Sequence, residues 1–148
     1  MEIQEVPHTK APIELLLEAD PSVEKIEAYL PDSRCFVAIL QGKPVGAYVV
    51  QSIAPAVYEL MSIAVSPEHQ RQGIGSKLLK HAVATVQDIG ARRLELGTGT
   101  FGYQLAWYQR EGFRVFAVER DFFLVNYEEP IYENGIQLKD MLRLAVDY

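Results

Sequence analysis

One cysteine, Cys35, stands alone among 148 residues. A single cysteine excludes an internal disulfide framework and a multi-cysteine metal site. It lies in the apolar run Cys35-Phe36-Val37-Ala38-Ile39, where a thiol reads as a small core residue. The three histidines, His8, His69 and His81, are too scattered for metal-ligand spacing, so no metal is expected. Basic residues are also few. Fourteen Lys and Arg against twenty Asp and Glu leave a net charge of −6. That balance argues against a general nucleic-acid binder, which needs a basic stripe, and it suits a cationic substrate. No stretch approaches the roughly 18 apolar residues of a membrane span. The start, Met1-Glu2-Ile3-Gln4-Glu5, is too acidic and polar for a secretory signal. The expectation is a cytoplasmic protein without membrane contact, forming one domain over 1–148. Hydrophobic residues make up 49% of the chain, enough to fill a core of that size.

What is present is an ordered series of short elements. Residues 1–6 read as a first strand, and 13–18 and 23–30 as two short helices, the second opened by Asp20-Pro21. Strands follow at 35–40 and 45–53 around the turn Gln41-Gly42-Lys43-Pro44, and a third at 57–65, completing an antiparallel meander. Ile74, Leu78, Leu79, Ala82, Val83, Val86 and Ile89 share one face of a helix closed by Gly90. Arg92 to Leu96 alternates as a strand, so strand, helix and strand make a βαβ unit with a parallel pair. Residues 97–102 read as a loop and 103–111 as a helix. Residues 113–124 and 136–146 read as the last two strands, with Asp140 breaking the alternation. The fold class is α+β: a mixed, mostly antiparallel sheet of about seven strands flanked by about four helices.

The stretch Gln70-Arg71-Gln72-Gly73-Ile74-Gly75 joins the strand ending at Val65 to the long helix. A glycine-punctuated turn at a helix N-terminus presents free N–H groups and the positive end of the helix dipole, so it suits phosphate. Two familiar phosphate loops do not fit. The dinucleotide fingerprint needs a third glycine where Leu78 stands, and the P-loop needs Lys directly after its last glycine, where Ser76 stands. The alternative is a turn that only reverses the chain.

Gln-x-x-Gly-x-Gly directly after a strand ending in Ala-Val resembles the acyl-CoA-binding motif of the GNAT superfamily of N-acyltransferases, with matching residues from Glu59 to Leu79. Leu105-Ala106-Trp107-Tyr108-Gln109-Arg110-Glu111-Gly112-Phe113 resembles the superfamily's second signature. The resemblance spans about residues 35 to 146. It implies the GNAT fold, with acetyl-CoA as acyl donor and no metal. It also implies acetyl transfer to a primary amine of a small molecule or peptide by direct attack in a ternary complex.

By that resemblance, the backbone of Arg71, Gln72, Gly73, Ile74, Gly75 and Ser76 cradles the pyrophosphate, with Arg71 and Lys77 adding charge. The strand at Ile63, Ala64 and Val65 pairs with the pantetheine arm, which requires an unpaired stretch of strand, and its amides polarise the thioester carbonyl. Tyr108 matches the residue that protonates the leaving thiolate, and it also counts among the cofactor contacts. Glu59 matches the glutamate base of histone-acetylating relatives, on the face of Met61, Ile63 and Val65 if no bulge intervenes. The loop asparagine of many relatives is absent from Thr98-Gly99-Thr100-Phe101-Gly102, and Thr98 is the candidate substitute. The segment Tyr127 to Gly135, acidic and aromatic, borders the acceptor site in the superfamily, where it would suit a cation. Homodimers are common there, so a homodimer is expected by analogy alone. Two other readings stay open: a non-catalytic acyl-CoA-binding or protein-interaction module, and a nucleotide-phosphate binder using the same loop.

Overall fold

The computed structural model describes residues 1–148. Nine strands form in chain order: β1 (Glu2–Val6), β2 (Arg34–Leu40), β3 (Lys43–Ala54), β4 (Val57–Val65), β5 (Arg93–Gly99), β6 (Arg114–Glu119), β7 (Tyr132–Glu133), β8 (Ile136–Gln137) and β9 (Met141–Asp147). Five α-helices accompany them: α1 (Ile13–Leu16), α2 (Val23–Tyr29), α3 (Ile74–Asp88), α4 (Tyr103–Arg110) and α5 (Phe122–Asn126). Seven strands make one sheet in the order β1-β2-β3-β4-β5-β9-β6, and β7 and β8 form a separate hairpin. Within the sheet only β4 and β5 run parallel. This is the expected α+β arrangement of about seven strands, with one helix more than expected. No helix is long and apolar enough to cross a membrane.

The 3.6-residue period of α3 buries Ile74, Leu78, Leu79, Ala82 and Val86 on one stripe. That stripe packs on Phe36, Tyr48, Val50, Leu60, Leu94 and Leu96, which face one side of the sheet. Leu16 of α1, with Ile26 and Leu30 at α2, covers the other side at Cys35, Val37, Ala47 and Val49. Strands β2 and β3 are therefore apolar on both faces and read as continuous hydrophobic runs. Burial pushes the Cys35 thiol up to about 11, as befits an inert core thiol.

Three departures from the sequence reading have local causes. Strand β5 continues through Gly97 to Gly99, where a loop was expected, because its pairing with β9 persists to Gly99–Met141. The strand expected over 113–124 stops at Glu119. Asp121, at φ 62°, turns the chain into α5, and its N–H donates to the Asp140 carboxylate at 2.8 Å. The strand expected over 136–146 is split into β8 and β9 for the same reason, since Asp140 is spent holding that turn.

The sheet splays at its centre. β4 and β5 are paired only at Val57–Arg93, Tyr58–Leu94 and Glu59–Glu95. Beyond them β4 stays with β3 as far as Val65, and β5 stays with β9. The register of β4 on β3 steps from Val49–Ser62 to Val50–Leu60, which leaves Met61 as a bulge. A bulge bends its strand and increases its twist, so the two strands diverge. The edge of β4 from Leu60 to Val65 is left without a strand partner on the β5 side.

Candidate active site

Two cavities line this opening and meet at Ala19, Ile63 and Gln104. The larger, about 610 Å³, runs from the free edge of β4 to the N-terminus of α3. Its walls include Ile63, Ala64 and Val65 on one side and Trp107 and Arg110 of α4 on the other. The smaller, about 170 Å³, lies between β4 and β5 and is closed by Phe123 and Tyr127 around α5 and by Glu133 of the hairpin.

The loop before α3 has the geometry of an anion cradle. Arg71 has φ 64° and Gly73 φ 81°, both left-handed, and such turns point successive N–H groups into one concavity. Glycine takes this conformation at Gly73 without the Cβ clash of other residues. The N–H groups of residues 71–76 donate to no other backbone group, and the first bond of the helix is from Lys77 N to Gly73 O at 3.2 Å. Gly75 faces the Trp107 ring, where a Cβ would rest at 3.5 Å. Trp107 Nε1 donates to Ser76 Oγ at 3.2 Å and so ties α4 to this end of α3.

Of the residues expected at the cofactor, Ile63, Ala64, Val65, Arg71, Gly73, Gly75 and Ser76 line the larger cavity. Gln72 and Ile74 do not line it. Gln72 is exposed, and the Ile74 side chain is buried in the core, so each offers only its N–H. Lys77 is exposed and outside the cleft, and Arg110, four residues before Arg114, is the second cation there instead. The amide of Gln70 donates to Val65 O at 3.1 Å, so part of the free edge is capped from within. Thr98 is buried and lines the smaller cavity rather than the larger one, because β5 has already diverged from β4 at this point.

Tyr108 also lines the smaller cavity and is 7% exposed. Its ring sits between Trp107, at 5.0 Å, and Phe113, at 6.0 Å. Burial pushes its phenol well above the ordinary range, with Tyr103 adding to the effect. It therefore stays protonated at neutral pH and keeps a proton to donate.

The chain belongs to the acetyltransferase (GNAT) family. The family model matches residues 2–113. An uncharacterized N-acetyltransferase of Bacillus subtilis, YvbK, is 41% identical over 135 residues, 90% of this chain and 87% of that protein. Among solved structures, the IAA acetyltransferase from Bacillus cereus superposes with a TM-score of 0.95 at 44% identity, covering 99% of both chains. A GNAT family acetyltransferase from Elizabethkingia anophelis with acetyl-CoA bound gives a TM-score of 0.93 at 38% identity, covering 99% of this chain and 98% of that one.

In this acetyltransferase Glu59 does not share the strand face of Ile63 and Val65. The bulge at Met61 shifts the alternation, so Tyr58, Leu60, Ile63 and Val65 pack toward α3 and Glu59 points to the opposite face. There Arg143 donates to both its oxygens, at 3.0 and 3.3 Å, and also to Glu95 at 3.1 Å. Arg93 continues the network by binding Glu95 at 2.9 Å and Asp147 at 2.9 Å. Glu59 lines neither cavity. The carboxylates that do line the smaller cavity, Asp20 and Glu133, come from the α1–α2 turn and the hairpin. No sequence pattern near the two signature blocks marks Asp20.

Proposed function

We propose that the enzyme transfers an acetyl group from acetyl-CoA to a primary amine of a small molecule or peptide, within a single domain spanning 1–148. The observation that carries this is that two cavities adjoin, sharing Ala19, Ile63 and Gln104 in their walls. A cleft with an unpaired strand edge and a cradle of free N–H groups lies beside a second chamber walled by Tyr108.

The residues present fit the donor. The N–H groups of 71–76, flanked by Arg71 and Arg110, would hold its phosphates. The free edge of β4 would take the amide-bearing arm as a further strand. Acetyl-CoA supplies a thioester whose carbonyl carbon bonds the amine nitrogen as its bond to sulfur breaks, leaving a thiolate that needs a proton. Tyr108 is a buried, protonated donor suited to give it. Holding both reactants at the junction would supply much of the rate gain. The acceptor arrives as an ammonium and gives up a proton to solvent water before its nitrogen attacks. We place the enzyme in the cytoplasm, where its unpaired thiol stays reduced.

The test is a calorimetric titration with acetyl-CoA, with ATP as control, followed by thiol release across a set of amines. One-to-one binding of acetyl-CoA alone, with release, supports the reading. No binding refutes it, equal binding of ATP makes the loop a general nucleotide site, and binding without release leaves a binding module. Tyr108→Phe is expected to lower turnover by about 10²-fold with acetyl-CoA affinity unchanged. Unchanged turnover would remove Tyr108 from the chemistry.

A further inference from the structure

We infer that the acceptor is a compact cationic amine without a carboxylate, selected by Asp20, Glu133, Tyr127 and the buried Ser62 hydroxyl in the smaller cavity. The inference rests on the acetyltransferase reading of that site and narrows its acceptor.

Size comes first. At about 170 Å³ the chamber falls below the roughly 300–1,000 Å³ of pockets for drug-sized ligands. Charge comes second. Asp20 and Glu133 are its only ionic walls, and no Lys, Arg or His lines it. A carboxylate on the acceptor would enter with like charges and no counter-ion, which is unfavourable where water is partly excluded. The cation recorded beside these walls is Lys25, with Nζ 5.0 Å from the Tyr127 ring centroid, and it does not line the cavity.

The polar groups are held in place ahead of any ligand. Asp20 Oδ1 accepts from Ser22 N–H at 3.0 Å and from the Tyr127 hydroxyl at 3.2 Å. No hydrogen bond engages Oδ2. Burial, then the charge of Asp20, pushes the Tyr127 phenol well up, so it remains a donor to that carboxylate. Phe123 stacks on Tyr127 at 6.0 Å, and both rings line the chamber, as suits an alkylammonium.

An independent observation points to a ligand. Ser62, 6% exposed, lines the cavity, and its Oγ has no hydrogen-bond partner. The Tyr29 hydroxyl is likewise buried and unpartnered. Burial pushes that phenol up to about 12, with Ser62 close enough to pull it back slightly, yet the two do not meet in hydrogen-bond geometry. A buried hydroxyl left unsatisfied is costly unless a ligand completes it. Ser62 lines the smaller cavity and directly precedes Ile63, which is shared by the walls of both cavities.

The experiment uses the full chain and two matched pairs, phenethylamine with phenylalanine and putrescine with ornithine, plus a peptide with a free N-terminus. Thiol release is measured with acetyl-CoA, and the thermal midpoint is measured with CoA and each amine. The amines are expected to exceed their carboxylated partners by about tenfold or more in kcat/KM, and they alone should raise the midpoint. Asp20→Asn, which keeps the oxygen that Ser22 N–H needs, should lower kcat/KM for the amines by about tenfold and shrink the gap within each pair. It should leave acetyl-CoA affinity unchanged. Glu133→Gln, on an exposed hairpin, should act in the same direction without risk to folding. Amino acids accepted as well as their amines, release with the peptide only, or neither variant having an effect would each overturn the inference and leave the acetyltransferase reading intact. Failure to bind acetyl-CoA would take both down.

Discussion

Glu59→Gln separates structure from chemistry at the residue the family resemblance would make a base. Arg143 lies between Glu59 and Glu95, register partners across the short parallel pairing of β4 and β5. The three side chains are 12%, 23% and 17% exposed for Arg143, Glu59 and Glu95. Burial alone would lower the Arg143 pKa, but its bonds to the two carboxylates more than offset this and hold it above its ordinary value. Exposed pairs contribute about 0.2–1 kcal/mol, and breaking fully buried ones costs about 3–5 kcal/mol. This network lies between those limits. Glu59→Gln removes one attraction but also one of two facing like charges, and Glu95 still neutralises Arg143. The expected loss is about 1 kcal/mol, a midpoint lower by about 2–4 °C in a chain of this size. Arg143→Gln leaves Glu59 without a counter-charge, while Glu95 keeps Arg93, and should cost more, about 2–4 kcal/mol. Turnover of Glu59→Gln, assayed by thiol release well below its midpoint, should stay within about twofold of the parent. A fall of about 10²-fold with an unchanged midpoint would refute this reasoning and restore Glu59 as the base.

Three further outcomes follow from the same geometry. Gly75→Val places branches between the cradle and Trp107, and calorimetry should show acetyl-CoA binding weakened by about tenfold or more, with little change in melting temperature. Arg110→Ala should weaken acetyl-CoA binding by several-fold and flatten its salt dependence, since a charge-assisted phosphate contact contributes roughly 1.5–3 kcal/mol at most; an unchanged affinity would place Arg110 outside the phosphate field. His81 Nδ1 meets the buried Tyr48 hydroxyl at 2.6 Å, and burial lowers its pKa below the usual 6.5. The folded state then binds fewer protons than the unfolded one, so stability is complete above about pH 6.5 and falls as pH drops through that value. Urea midpoints at pH 7.5 and 5.5 should differ more for the parent chain than for His81→Asn; equal differences would refute the linkage.

Much of the fold was legible because its signals are local. β4 was read with its observed ends, and α3 and the meander came close, since strand alternation, helical period and glycine turns are written in neighbouring residues. The free N–H groups before α3 were legible for the same reason: a glycine-bearing strand-to-helix turn is a property of adjacent residues. The strand expected over 113–124 failed because its end depends on Asp140, some twenty positions later, which holds the turn at Asp121.

The amino-acid sequence by itself determined the family, the α+β sheet and the position of the cradle. Only the tertiary structure decided which side chains share a cavity. One bulge residue, Met61, reverses which face Glu59 occupies, because side chains alternate with period two. It also contributes to the splay that frees the β4 edge. Asp20, Ser62, Tyr127 and Glu133 come from four separate segments of the chain. Their meeting around one chamber is set by packing between distant elements, which no local pattern records.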